Sequence, residues 1–206
     1  MFLEGFSVGQ IESNCYIVGC EETKEAAVVD PGAEGKRILK KIDSLGLNIR
    51  YIILTHGHID HIGALAEVQQ ATGAKVLIHA EDAGMLTDPQ KNLSTYIGSI
   101  VTMKPADQLL CDGDIIKIGK ETLEVIHTPG HTKGGISLKC GQDLITGDTL
   151  FAGSIGRSDF PGGSHTQLIN SIKSRLLIFP PETKVYPGHG PASNIGWEKR
   201  YNPFLT

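Results

Sequence analysis

At 206 residues, 40% apolar and 20% charged, the chain can bury a full core, and its ordinary globular composition excludes a disordered or fibrous protein. A net charge of −4 with no Lys/Arg-rich run excludes a general attraction to nucleic acid or anionic membrane, and no stretch approaches the ~18–20 apolar residues of a membrane span. Twenty-five glycines and ten prolines point to many short strands and tight turns.

The first thirty residues read as β structure: Phe2 to Val8, Asn14 to Val18 and Ala26 to Val29 are short apolar or alternating runs. Asp30-Pro31-Gly32 closes the third with a turn signal. Ile38, Leu39, Ile42 and Leu45 recur at helical spacing with Gly46 after the last turn, which predicts a helix. Tyr51-Ile52-Ile53-Leu54 suits a strand buried on both faces and leads straight into Thr55-His56-Gly57-His58. From about His61 the period turns helical, through Ala64, Leu65 and Val68, and ends near Gly73; Lys75 to Ile78 is the next strand. Residues 80–106 follow no single period and read as short helices with an irregular connection. From 107 to 147 the pattern returns to β, in Ile115 to Ile118, Leu123 to His127, Ile136 to Cys140 and Leu144 to Thr146. Ser164 and Gln167 predict a capping box for a helix carrying Leu168, Ile172 and Leu176 on one face. Thr183 to Tyr186 is a last strand, followed by a short helix near 194–201. With no repeat, low-complexity tract or linker, residues 1–206 read as one α/β domain whose sheets pack together inside helical layers.

Cys15, Cys20, Cys111 and Cys140 lack paired C-x-x-C spacing and read as buried or half-buried thiols, neither a disulfide framework nor a thiolate site. The start, MFLEGFSVGQ, has neither the basic region nor the apolar stretch of a secretory signal. The expected compartment is the cytoplasm.

The segment His56-Gly57-His58-Ile59-Asp60-His61 carries the chemistry. Three histidines and a carboxylate in six residues are poor core material, because burying them without partners costs several kcal/mol. A solvated polar loop is the bland alternative. Directly after a strand, His56 and His58 are two residues apart and point to one side, while Asp60 and His61 diverge from them. Two metals side by side satisfy these four groups better than one does. Imidazole and carboxylate are the ligands expected of Zn(II), Fe(II) or Mn(II). With no Cys nearby, an open catalytic site is expected rather than a closed structural one. Further donors stand just past other β-like runs, each beside a Gly: His131 in Thr128-Pro129-Gly130-His131, Asp148 after Gly147, and His189 in Tyr186-Pro187-Gly188-His189.

H-x-H-x-D-H, then a lone His, a lone Asp and a lone His, resembles the ordered ligand series of the metallo-β-lactamase superfamily. The resemblance covers nearly the whole chain, including Val28-Val29-Asp30-Pro31-Gly32, which looks like the first acidic motif. It implies an αββα sandwich, two mixed β-sheets flanked by helices, with the metals at the edge between the sheets. It also implies that His56, His58 and His131 hold one metal, that Asp60, His61 and His189 hold the second, and that Asp148 bridges them. Asp30 would support the ligand loops rather than bind metal. Gly147-Asp148-Thr149-Leu150-Phe151, the run from Gly156 to Gly163, Tyr186-Pro187-Gly188-His189-Gly190 and Asn202-Pro203-Phe204-Leu205 look like the short bacterial glyoxalase II-like (hydroxyacylglutathione hydrolase-like) branch. Full-length glyoxalase II enzymes add a C-terminal helical region that holds glutathione, and none is expected after His189 here.

The function so implied is hydrolysis of a small-molecule S-acyl thioester, such as S-lactoylglutathione or a related thiol ester, with no nucleic-acid or membrane partner. Two divalent metal ions roughly 3.5–4 Å apart, Zn(II) first with Fe or Mn as alternatives, would acidify a shared water. Asp60 and Asp148 are the carboxylates expected beside the resulting metal-bound hydroxide. A thiolate leaves without a dedicated acid, and no Ser sits in a G-x-S-x-G elbow. One rival is a mononuclear iron persulfide dioxygenase using His56, His131 and Asp148; others are a lactonase, a β-lactamase or another metallo-hydrolase of this fold. A scaffold that had lost catalysis would be expected to have lost ligands, and all seven are present. Arg157 is a candidate for a substrate carboxylate, with a loop-holding pair to Asp159 as the alternative. Phe151 and Phe160 are candidates for an apolar wall or plain core, and Trp197 and Tyr201 for anchoring the last helix. His79 is expected at the surface or behind the site, His127 packed against the His131 loop, and His165 in solvent.

Overall fold

The computed structural model describes residues 1–205. β1 (Phe2–Val8) and β2 (Ser13–Gly19) form a hairpin, and β2 pairs antiparallel with β3 (Glu25–Val29). The two-residue period of β3 sends Ala26 and Val28 into one core and Ala27 and Val29 into another. Parallel pairing then adds β4 (Asn48–Leu54), β5 (Lys75–His79) and β6 (Gln108–Leu110). Parallel neighbours need crossovers. α1 (Gly35–Leu45) makes the first; the short α2 (Ile59–Ile62) and α3 (Leu65–Thr72) make the second. Ile38 and Ile42 of α1 and Leu65 and Val68 of α3 pack on the outer face of this sheet, against Val28, Ile52 and Ile78.

In the second sheet β7 (Ile115–Ile118), β8 (Glu121–His127), β9 (Ile136–Cys140) and β10 (Asp143–Gly147) form an antiparallel meander. After the small hairpin of β11 (Leu150–Phe151) and β12 (Ser154–Ile155), β13 (Lys184–Pro187) pairs parallel with β10, and β14 (Ser193–Asn194) takes the edge. α4 (His165–Ser171) and α5 (Ile195–Tyr201) cover its outer face, where Leu168 and Ile195 meet Leu144 and Val185. Between the sheets Tyr16, Val29, Ile53 and Leu77 meet Ile118, Leu123, Leu138 and Ile145. The layer order is helix, sheet, sheet, helix: the αββα sandwich expected from the resemblance. No helix among the described residues is long and apolar enough to cross a membrane.

Several local expectations need correction. The helix from His61 to Gly73 is broken after Ile62, because Ala64 N–H donates to Pro31 O at 2.9 Å and a Cβ on Gly63 would run into Gly32 O. The helix after Ser164 keeps its cap, Ser164 Oγ accepting from Gln167 N at 3.4 Å, but passes into a π-turn over Ile172–Leu176. Cys111 is exposed, while the other three thiols are buried, and all four cysteines are free. Trp197 and Tyr201 do not anchor α5; they are 44% and 54% exposed. Buried Glu198 does so instead, accepting from Gly153 N at 3.1 Å, Asn202 Nδ2 at 2.7 Å and the Ser193 hydroxyl.

Candidate metal centre

Five strands deliver the site at their C-terminal ends. β3 and β4 run parallel in one sheet; β8 and β10, both antiparallel to β9, run parallel with β13 in the other. Asp30 follows β3, His56 and His58 follow β4, His131 follows β8, Asp148 follows β10, and His189 follows β13. Loops leaving those ends converge on one rim of the sandwich, with rigid strands behind every donor.

The turn of α2 after His58 sends Asp60 and His61 to a different side of the cluster from His56 and His58. His58 Nδ1 and His131 Nε2 lie 2.9 Å apart, and the His56 ring is 4.7 and 4.8 Å from theirs. On the other side His189 Nε2 is 3.1 Å from Asp60 Oδ2, and His61 Nε2 is 3.6 Å from the same oxygen. Asp148 stands between the groups: Oδ1 is 3.3 Å from His61 Nε2, and Oδ2 is 3.6 Å from His131 Nε2 and 3.7 Å from His189 Nε2. His56/His58/His131 and Asp60/His61/His189 each bring three donor atoms within 4.8 Å of one another. All seven residues singled out in the sequence therefore meet at one place.

Close backbone approaches make room for this. Gly147, at φ 48°, sits against Thr55, and Gly188 N–H donates to Gly147 O at 2.7 Å. A Cβ on Gly188 would collide with Asp148 Oδ1 and lie 2.9 Å from His61 Cε1.

The metallo-beta-lactamase superfamily pattern matches residues 8–189, the span that contains every one of these donors. The chain belongs to the metallo-β-lactamase superfamily. Over 100% of its length and 99% of the relative's it is 36% identical to the hydroxyacylglutathione hydrolase GloC of Haemophilus influenzae. The crystal structure of BLEG-1, a B3 metallo-beta-lactamase, superposes with a TM-score of 0.95 at 39% identity, covering 100% of both chains. The structure of TTHA1623 in a di-iron-bound form matches with a TM-score of 0.85 at 35% identity, over 98% of this chain and 100% of that one. This superfamily member thus shares its fold with a protein that holds two irons.

The donor set itself fits cations. His61 Nδ1 donates to Asp30 Oδ2 at 2.9 Å, His131 Nδ1 to Arg157 O at 2.6 Å, and His56 Nδ1 to Thr55 Oγ1 at 3.2 Å, since that hydroxyl already gives its proton to Asp30 Oδ2. Each bond leaves the Nε2 lone pair facing the cluster. Among the described residues, the buried side-chain polar atoms with no hydrogen-bond partner are His56 Nε2, His61 Nε2 and Asp148 Oδ1. Orphaned buried acceptors are costly, and three in one cluster mark where cations belong.

Electrostatics point the same way. Burial, then the neighbouring imidazoles, hold His56 well below its ordinary value, and burial and His131 push His58 down to about 3. Burial opposes charge on His61 as well, but the carboxylates of Asp148, Asp60 and Asp30 raise it well above the ordinary range. Burial works against charge on Asp60 and Asp148, yet His61 and its neighbours keep both low. The cluster holds anionic carboxylates, neutral imidazoles at His56 and His58, and, without a cation, positive charge drawn to His61 and His189 by those carboxylates.

Asp30 could be grouped with His56 and His61 as a third donor set. Its oxygens are already engaged: Oδ1 accepts from Thr55 N at 2.7 Å, and Oδ2 from Thr55 Oγ1 at 2.6 Å and His61 Nδ1. That is a supporting position. Arg157 presents its backbone carbonyl to His131, while its guanidinium is paired twice with Asp159, at 2.8 and 2.7 Å, and lies 3.8 Å from the Phe160 ring centroid. Phe160 and Phe151 border the cluster, with ring centroids 5.7 Å from His58 and 6.1 Å from His189. His79 is not at the surface: it is buried behind the His131 loop, stacked on His127 at 4.1 Å. His127 bonds Lys133 O at 2.9 Å, so it does hold the His131 loop, and His165 is exposed.

Several supporting residues carry no sequence signal. Ser13 Oγ donates to Asp60 O at 2.6 Å, Asn14 Nδ2 to Pro187 O and Gly190 O at 2.9 Å, and Tyr16 Oη to Pro187 O at 2.6 Å, so β2 fixes both α2 and the His189 loop. Buried Asp82 accepts from Thr132 Oγ1 at 2.6 Å and Gly134 N at 2.7 Å. It came from the stretch where no period could be read.

Proposed function

We propose that this protein is a binuclear thioester hydrolase of the glyoxalase II-like kind. His56, His58 and His131 would hold one divalent cation and Asp60, His61 and His189 the other. The observation that carries this reading is the placement of Asp148 between the two donor groups: Oδ1 faces His61 of one group, and Oδ2 lies between His189 of that group and His131 of the other. Such a pair, zinc first with iron or manganese as alternatives, supplies Lewis acidity at a carbonyl and a water acidified toward neutral pH.

The chain's own residues do the rest. Asp30, Thr55 and the Arg157 carbonyl fix the tautomers of His61, His56 and His131, so the donor atoms need no reorganisation. Asp60, partly exposed where His61 is fully buried, is placed to accept a proton from the attacking water. A thiolate departs without an acid, and nothing in the cluster is built as one. Burial raises the Cys15 and Cys140 thiols, and Cys20 lies past the far end of β2 from Ser13, so none of these three competes as a covalent nucleophile.

Likeness to BLEG-1 over the whole chain favours β-lactam cleavage as a second reading, because the same donors would serve an amide. Mononuclear persulfide oxidation needs His56, His131 and Asp148 alone and leaves the Asp60/His61/His189 set without purpose. The test is to strip the protein with chelator, reload it with zinc, iron or manganese, and count metal while assaying thioesters, β-lactams, a lactone and a persulfide. Two equivalents of metal with thioester cleavage are expected. One iron with oxygen consumed on persulfide refutes the proposal, and β-lactam cleavage without thioester cleavage replaces it with the second reading.

A further inference from the structure

A groove of about 960 Å³ opens beside the cluster at its Asp60 end. Val8 and Ile11 from the β1–β2 hairpin, Ala33, Ile59 of α2, and Ile97 and Val101 give it an apolar lining. Ile11 and Ile97, both lining the groove, are 55% and 56% exposed. Scattered exposed apolar residues are ordinary, but a set gathered around one trench beside a reactive centre is not. The trench is not slack loop. Ile59 N–H donates to Asn92 O at 2.8 Å, Asn92 Nδ2 to Val101 O at 2.8 Å, and Val101 N–H to Ser94 Oγ at 3.1 Å, which ties the Ile97 wall to the helix bearing Asp60 and His61.

The two ends of the cluster differ in chemistry. At the His58 end stand Phe160 and the charged Arg157–Asp159 pair. Of the groove's own charged groups, Glu34 and Arg37 bind each other at 2.8 Å, and Lys36 and Glu67 add one charge of each sign. That volume falls in the range of small-molecule sites, roughly 300–1,000 Å³.

We propose that this groove receives the acyl chain of the substrate, so the preferred thioesters carry an apolar acyl group of several methylenes, with the polar thiol carrier toward Arg157. The inference rests on the thioester reading and names its substrate class. Seating an unbranched chain in the groove gains about fourfold per methylene, from about 0.8 kcal/mol per buried CH2. Ile11→Glu with Ile97→Glu puts charge on both walls at exposed positions and removes that gain. Ile178→Glu, at a 69% exposed position on the connection after α4, is the control.

The experiment measures kcat/KM of the metal-loaded full chain on S-acetyl, S-butanoyl, S-hexanoyl and S-octanoyl N-acetylcysteamine. In parallel it measures, by calorimetry, binding of the matching ketones in which CH2 replaces sulfur. At least a tenfold rise from acetyl to hexanoyl is expected in both series, lost in the Ile11/Ile97 double variant and kept in Ile178→Glu. Cleavage with a flat chain-length profile overturns the groove assignment and leaves the thioester reading standing. No cleavage at any length, with ketone binding still rising with chain length, overturns the thioester reading and leaves the groove. Ketone binding that ignores chain length, or a rise that survives in the double variant, overturns the groove in either case.

Discussion

Asp30→Asn isolates one physical idea: that a carboxylate behind a ligand sets which nitrogen of His61 faces the cations. Asp30 is buried and sits at φ 51°, a left-handed conformation that Asn tolerates, so the backbone has no reason to move. The amide oxygen can keep the Thr55 N–H bond now made by Oδ1, but the amide nitrogen then meets His61 Nδ1 where Oδ2 stood, 2.9 Å away. Two donors cannot face each other. His61 must shed its Nδ1 proton and carry one on Nε2, the atom 3.3 Å from Asp148 Oδ1, which closes that lone pair to a cation. A hydrogen bond to a charged group is worth about 1.5–3 kcal/mol, or roughly 10–150-fold in affinity; loss of a carboxylate behind a metal-ligating histidine typically weakens metal binding by about 10–100-fold. The loss should be largest at the second cation and reach the first as well, because the Thr55 hydroxyl that fixes the His56 tautomer gives its proton to the same Asp30 oxygen. Titration of metal-free protein against a chromophoric chelator, resolving two equivalents, checks this. If both equivalents bind the variant within twofold of the parent, Asp30 does not set the tautomer and the reasoning is wrong.

His131→Ala should remove one equivalent of metal and lower turnover by at least about 100-fold, since it empties one donor position and leaves Asp148 half engaged; elemental analysis beside a thioester assay measures both, and two equivalents retained with full turnover would contradict the assignment. Gly188→Ala keeps all seven donors yet should cost about 1–3 kcal/mol of stability through overpacking and at least about tenfold in activity, because its methyl group collides with Asp148; denaturant melts and kinetics read it, and a fully active variant would refute the close approach. In the metal-free protein, stability should fall with acid from about pH 6.5. There the unfolded chain protonates His56 and His58, whose folded values are depressed, and the native cluster refuses those protons. With these two protons taken up only on unfolding, the slope from the two histidines is about 2.7 kcal/mol per pH unit at most, and Asp60 and Asp148, held low in the folded chain, add to it near pH 4. His61, raised on folding, stabilises below its unfolded value and loses that contribution only at higher pH, so it adds no slope in the acid window. Equilibrium unfolding between pH 4 and 7 checks the sign, and stability that rises on acidification would refute it.

Fold and donor set were legible in the sequence for reasons that are local. Ile38, Ile42 and Gly46, or Tyr51 to Leu54, declare their elements because period and turn chemistry act over a few residues. A histidine or aspartate just past a strand and beside a glycine declares a ligand loop, because a cation needs those side chains and the crowded backbone excludes a Cβ, as at Gly188. The break at Gly63 was not legible: the helical period runs through it, and only the carbonyls of Pro31 and Gly32, delivered by a different strand, end α2 early enough to aim Asp60 and His61.

Residue types and their order along the chain were enough to read sheets packed inside helical layers and to single out seven candidate donors, each announced by its immediate neighbours; the αββα order came from the family resemblance those motifs carry. Tertiary structure alone decided that Asp148 stands between two histidine groups, that Ser13, Asn14, Tyr16 and Asp82 brace the loops, and that Ile11 and Ile97 face one groove. Those relations join residues as much as 176 positions apart, as Asn14 and Gly190 are, and no local period encodes a distance across two packed sheets.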